Sequence, residues 1–207
     1  MSESNRAKIL ALGSFNNLFE TQIDSLMTMF SKRDNTSIRS TYRINKIVKL
    51  IDMILYMIIY RRSYNVIHIQ AHSGLIVFGV FISTVIAKIF NKKTIVMYYG
   101  GAAHSFFKRF PRLIYFIFNR VDSVIVAGRY VQRAFSDLGI KTTIIPHTLD
   151  ISRWRSRIRY DISLKIVWVR SFQNIYNPNL MVDIVDSLNK KKLNPEVVMV
   201  GEGVLED

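Results

Sequence analysis

The sequence predicts an α/β protein with a parallel sheet, and three observations carry that prediction. Short apolar runs of strand length recur along the chain, among them "KILALG", "VIHIQ", "TIVMY" and "SVIVA". Between them lie longer stretches whose apolar residues repeat at helical spacing. The breaks hold glycine, proline, asparagine and serine, which end one kind of element and open the next. Strands alternating with helices pair in parallel and connect by right-handed crossovers.

The elements follow in order. Residues 8–13 form a strand ending in glycine, and Leu18, Ile23, Leu26, Met27 and Phe30 mark a helix face over 17–30. After a polar loop, 36–44 reads as an edge strand and 47–62 as an apolar helix with basic ends. Strand 66–70, helix 74–90, strand 94–98 and the glycine loop "YYGGAAHS" come next. The helix over 111–119 opens on Pro111, where a missing N–H costs nothing. Strand 123–127, helix 129–138 and strand 141–145 complete a first domain over 1–150. A second region, 151–207, starts with a basic connector, then a buried strand "LKIVWV", a helix over 179–190 and a buried strand "EVVMV". It reads as one βαβ unit opening a new sheet. With so few strands around it, apolar surface from Val167, Trp168, Val198 and Val200 is expected to lie open.

Composition narrows the function. The chain has no cysteine, which excludes disulfides, thiolate metal sites and a cysteine nucleophile. The opening "MSESNRAKILAL" lacks the pattern of a secretory signal, so a cytoplasmic location is expected. A net charge of +14 calls for an anionic partner: nucleic acid, a membrane face or a phosphate-bearing small molecule. Two segments, 47–62 and 74–90, are apolar enough to suggest a membrane, and a spanning helix needs about 20 such residues. The second directly follows a strand, which favours a helix buried on a sheet. Arginines alternate along "RWRSRIRY", but no nucleic-acid module accompanies them, which favours a solvated connector over a nucleic-acid strip.

The order of these segments resembles the family 4 glycosyltransferases, retaining enzymes of GT-B architecture. The resemblance rests on "YNVIHIQ", "KKTIVMYYGG", "VDSVIVAGRYVQRAFSDLGIKTTIIPHTLDISRW" and "LKIVWVRSFQNIYNPNLMVDIVDSL" followed by "EVVMVGEG", and spans nearly all of the chain. It implies two Rossmann-like domains, the first for the acceptor and the second for a nucleotide-sugar donor. It also implies transfer with retained anomeric configuration, no metal and no cofactor beyond the donor. The glutamate pair of that family would fall beyond Asp207, so the resemblance implies a chain cut short or split, and inactive by itself. The partners implied are a nucleotide-sugar, a sugar or lipid-linked acceptor, and a chain that completes the donor domain. Peripheral attachment to the inner face of the plasma membrane fits the lipid-linked acceptors of the family.

Candidate site residues sit where strands end, since ligands of open α/β sheets bind at the carboxyl edge. The turn holding Gly13, Ser14, Asn16 and Asn17 is one such place. Relatives have paired glycines there, whereas these asparagines equally suit a helix cap. Tyr99, Gly100 and Gly101 end another strand, with Tyr99 where relatives have histidine; His104 lies nearby as a site residue or a capping one. On the donor side are Arg170, Ser171 and Asn177. Many relatives have glycine, then a phosphate-gripping arginine, with a lysine some residues on; here Arg170 stands in the glycine's place and Asn177 near the lysine's. Arg170 can take a phosphate or form an interdomain ion pair. Gly201, Glu202 and Gly203 match the nucleotide-facing loop, or make a plain turn. Phe106, Phe107 and Phe110 interleave with Lys108, Arg109 and Arg112, which suits a membrane interface or an amphipathic helix with its aromatics inside. The reading is a sugar-transferring enzyme for polysaccharide or glycoconjugate synthesis. The alternative is a non-catalytic basic module that binds an anionic membrane or a partner chain.

Overall fold

A computed structural model describes residues 7–13, 22–31, 37–39, 46–74, 76–147, 155–158, 160 and 163–205. The chain divides into two units, Met1–Leu149 and Asp150–Asp207. The first contains β1 (Ile9–Leu12), α1 (Gln22–Ser31), β2 (Ser37–Arg39), α2 (Lys46–Ile59), β3 (Val66–Ala71), α3 (Ile76–Ile89) and β4 (Lys93–Tyr98). It continues through α4 (Ala103–Arg109), α5 (Pro111–Phe118), β5 (Ser123–Val126), α6 (Arg129–Ser136) and β6 (Thr143–Ile144).

Six parallel strands form one sheet in the order β2-β1-β3-β4-β5-β6, a Rossmann-like arrangement in the predicted α/β class. Strand order reverses between β1 and β3. Leu10 and Leu12 of β1 pair in register with Ile67 and Ile69 of β3, and all four are fully buried. Strands covered on both faces lose the alternation of a half-exposed sheet, as these do. One face packs under α2, α3, α5 and α6, where Tyr98, Phe107, Phe118 and Phe135 form an edge-to-face cluster with centroids 4.7–6.4 Å apart. On the other face Ile9 and Ala11 meet Met27 of α1. Asp122 fastens the start of β4: its carboxylate accepts from the Thr94 N–H and hydroxyl, each at 2.9 Å, and from Lys93 at 3.1 Å.

Three expectations change. The glycine loop leads into a helix of its own, α4, which breaks at Phe110 before Pro111 opens α5; Pro111 removes the N–H that would continue the first helix. Phe107 is 2% exposed, in the aromatic core, and is not membrane-facing. Phe106 is half-buried against that core, whereas Lys108, Arg109, Phe110 and Arg112 are exposed. Finally, α3 buries only one face: Val77, Val80, Thr84 and Ala87 lie on the sheet while Phe78, Val85 and Ile89 face solvent.

The second unit has β7 (Lys165–Val169), a 3₁₀ turn (Asn174–Tyr176), α7 (Asn179–Lys190) and β8 (Glu196–Val200). The two strands pair in parallel. The open apolar surface expected of so small a sheet is present, and neither strand is buried. Val167, Val169, Val198 and Val200 are exposed on one face of this two-stranded sheet, while Trp168 is half-buried and stacks on Phe172 at 5.1 Å. Residues 155–158 of the basic connector are exposed and carry no regular structure. No helix among the described residues is long and apolar enough to cross a membrane.

Candidate functional site

The carboxyl edge of the six-stranded sheet gathers Gly13 after β1, His72 and Ser73 after β3, Tyr99 and Gly100 after β4, and His147 beyond β6. The reversal of strand order puts the crevice of this sheet between the ends of β1 and β3, beside Gly13 and His72. Ser14, Asn16 and Asn17 lie outside the described residues.

Tyr99 is held by its backbone and its side chain. Its N–H donates to the Ala71 carbonyl at 2.9 Å, which extends the β3–β4 ladder one step past the strand. Its ring stacks on His147, and its hydroxyl donates to Met97 Sδ at 2.8 Å. Burial raises the hydroxyl pKa, and a hydrogen bond from the Gln70 side chain opposes that rise. Gln70, Tyr99 and His147 therefore form a polar and aromatic wall at the ends of β3, β4 and β6.

The glycine pair separates into two roles. A Cβ on Gly100 would stand 2.7 Å from the Tyr98 ring, so this glycine is required by the core beneath it. Gly101 has open space at the same position, and its exposed backbone is free to meet a ligand. The Tyr98 hydroxyl lies 2.7 Å from Ser73 Oγ, while burial raises the tyrosine pKa. The exposed His72 ring bonds the Ser73 carbonyl through Nδ1 at 2.9 Å. His104 is elsewhere. Its Nε2 bonds the Tyr130 carbonyl at 2.9 Å and its ring packs on Tyr130, tying α4 to α6.

In the second unit the loops after β7 and β8 are laced together. The Arg170 and Phe172 N–H groups donate to the Val200 and Glu202 carbonyls, each at 3.0 Å, and Ser171 Oγ donates to the Glu202 carbonyl at 2.9 Å. A Cβ on Gly201 would stand 1.7 Å from the Arg170 carbonyl oxygen, and one on Gly203 would stand 2.3 Å from that of Phe172. Both glycines are thus explained by backbone packing. Arg170 is exposed with its guanidinium 4.1 Å from the Tyr176 ring centroid, a cation–π contact that holds the group at the loop mouth. Asn177 closes the 3₁₀ turn in the left-handed region, at φ 47°.

Gln70, His72, Ser73 and His147 are the residues that sequence reasoning missed. Each stands at or just past the carboxyl end of a strand, and that position was readable for all four. Among the described residues no group of three or more His, Asp or Glu side chains could hold a metal ion. No protein-family model matches the chain, and no curated protein matches it.

Proposed function

We propose that this protein takes part in sugar transfer from a nucleotide-sugar, as a retaining glycosyltransferase of the GT-B kind. The first unit holds the acceptor and the second contributes to the grip on the donor diphosphate. The observation that carries this reading is the convergence of Arg170, Ser171 and Gly201–Gly203 into one hydrogen-bonded edge of the second unit. The motif order quoted above supports the same reading.

Chemistry follows from the two edges taken separately. A stacked Tyr99–His147 pair offers a flat aromatic surface to the apolar face of a sugar ring, and the Gln70 amide lies beside it. Arg170 offers forked N–H donors that suit two phosphate oxygens at once. Its charge would stabilise a leaving diphosphate as negative charge develops there.

Amide NMR titration tests the proposal. A nucleoside diphosphate should shift the Arg170, Ser171 and Gly203 signals, and a panel of saccharides should contain one that shifts Tyr99 and His147. The reading fails if the nucleotide perturbs the first unit alone, or if no saccharide touches the Tyr99 edge.

A further inference from the structure

We propose that the outward face of α2, α3 and α5 is a docking surface for an anionic phospholipid bilayer. A helix lying on a sheet normally turns its polar side to water. These do the reverse. On α2, Ile47, Ile51, Leu55 and Ile58 form one exposed stripe, opposite the buried Met53 and Met57. Ile47 is 72% exposed and Ile51 51%. On α3 the spacing repeats with Phe78, Val85 and Ile89, the last 72% exposed. Tyr115 and Phe116 face out from α5.

The stripes belong to one surface. Leu50 of α2 lies against Gly79 of α3, and Phe81 of α3 packs on Phe116 of α5 with centroids 5.5 Å apart. Contiguous exposed apolar area of this kind marks an interaction site.

Charge selects the occupant. No aspartate or glutamate occurs between Asp52 and Asp122, so α3, α4 and α5 carry cations and no carboxylate. Arg61 and Arg62 follow α2, Lys88 sits in the last turn of α3, and Arg112 and Arg120 flank the exposed face of α5. A second copy of this chain, itself at +14, would set cation against cation. An anionic bilayer answers both features: isoleucine and phenylalanine enter the boundary between headgroups and acyl chains, and the arginines meet phosphates. An open cavity of about 560 Å³ on α5 adds a place for a headgroup, lined by Arg112, Tyr115, Phe116 and Arg120. The Arg120 guanidinium rests 3.6 Å over the Phe116 ring and donates to the Phe116 carbonyl. None of the described helices is long and apolar enough to span, so the layer lies on the membrane surface.

Co-sedimentation of the full chain with vesicles tests this. Vesicles of phosphatidylcholine with phosphatidylglycerol should bind, and pure phosphatidylcholine should bind much more weakly. The triple variant Ile51→Ser, Leu55→Ser, Ile58→Ser, with its fold checked by circular dichroism, should lose about tenfold or more, including at high salt. Arg61→Gln with Arg62→Gln should weaken binding mainly at low salt, where charges are screened least. The proposal is overturned if folded triple variant and wild type bind alike, if anionic vesicles are ignored, or if sedimentation velocity shows a dimer that the triple variant dissolves.

Discussion

The Tyr99 ring lies parallel to the His147 imidazole, with centroids 5.1 Å apart and planes within 8°. Tyr99 follows β4 and His147 lies beyond β6, with β5 between those two strands in the sheet. The stack therefore bridges the end of β5 and links the ends of β4 and β6 at the carboxyl edge.

Tyr99→Ala should remove this bridge at a cost of about 0.5–1.5 kcal/mol beyond lost area, the range for aromatic pairs. Tyr99→Phe should retain most of it. In wild-type protein the ring current of Tyr99 shields the His147 ring protons, so their NMR signals should move downfield in the alanine variant. Unchanged signals would mean that the rings do not stack in solution.

Glycine substitutions separate packing from ligand contact. Gly201→Ala forces a methyl group into the Arg170 carbonyl, and Gly203→Ala does the same at Phe172 with φ at +159°. Neither obstacle is a side chain that can rotate away. Both variants should lose amide protection at Val169 and Val200 while the first unit keeps its own. Gly101→Ala, with open space around it, should change stability by no more than about 0.5 kcal/mol. Full protection of Val200 in Gly201→Ala would refute the close approach of the two loops.

How far the sequence could be read depended on whether local or distant atoms decide the outcome. The strand at Val66–Ala71 and the helix at Asn179–Lys190 were legible because periodicity and flanking turns are local. The exposure of Val167 and Val200 was legible only from the small number of strands around them, since burial depends on how many strands surround a strand. Phe107 and Phe110 look equivalent in "FFKRF", yet a break at Phe110 sends one into the core and leaves the other exposed. At the site, Arg170 and Gly201 were legible as strand-end residues. The Tyr99–His147 stack needed the strand order, because nothing local links residues so far apart in sequence.

Arg170 should carry much of any diphosphate affinity. Arg170→Ala should weaken nucleoside diphosphate binding by about 1.5–3 kcal/mol, the range for hydrogen bonds to charged groups. Tyr176→Leu keeps the cation but removes its ring support, so its loss should be smaller. Isothermal titration of both variants decides the matter. Equal affinities for wild type and Arg170→Ala would remove Arg170 from the donor site.

His68 should make the fold sensitive to acid. It lies inside β3, in register with Ala11 and Ile95, and neither ring nitrogen has a hydrogen-bond partner. Burial pushes its pKa down from 6.5 to about 4, against a smaller opposing pull from its own backbone. Between those values the unfolded chain binds a proton that the folded chain excludes, so stability rises with pH across that window and levels off above it. The full effect is about 3–4 kcal/mol, from about 1.4 kcal/mol for each pKa unit. His68→Met fills similar space without a titrating group and relieves an unpaired polar side chain, which alone costs about 1–3 kcal/mol. Urea midpoints at pH 4.5 and 7.5 should therefore lie closer together in the variant than in the wild type, with the variant more stable at both. An equal acid-induced drop in the two proteins would show that His68 is solvated or paired in solution, and that the acid sensitivity arises elsewhere.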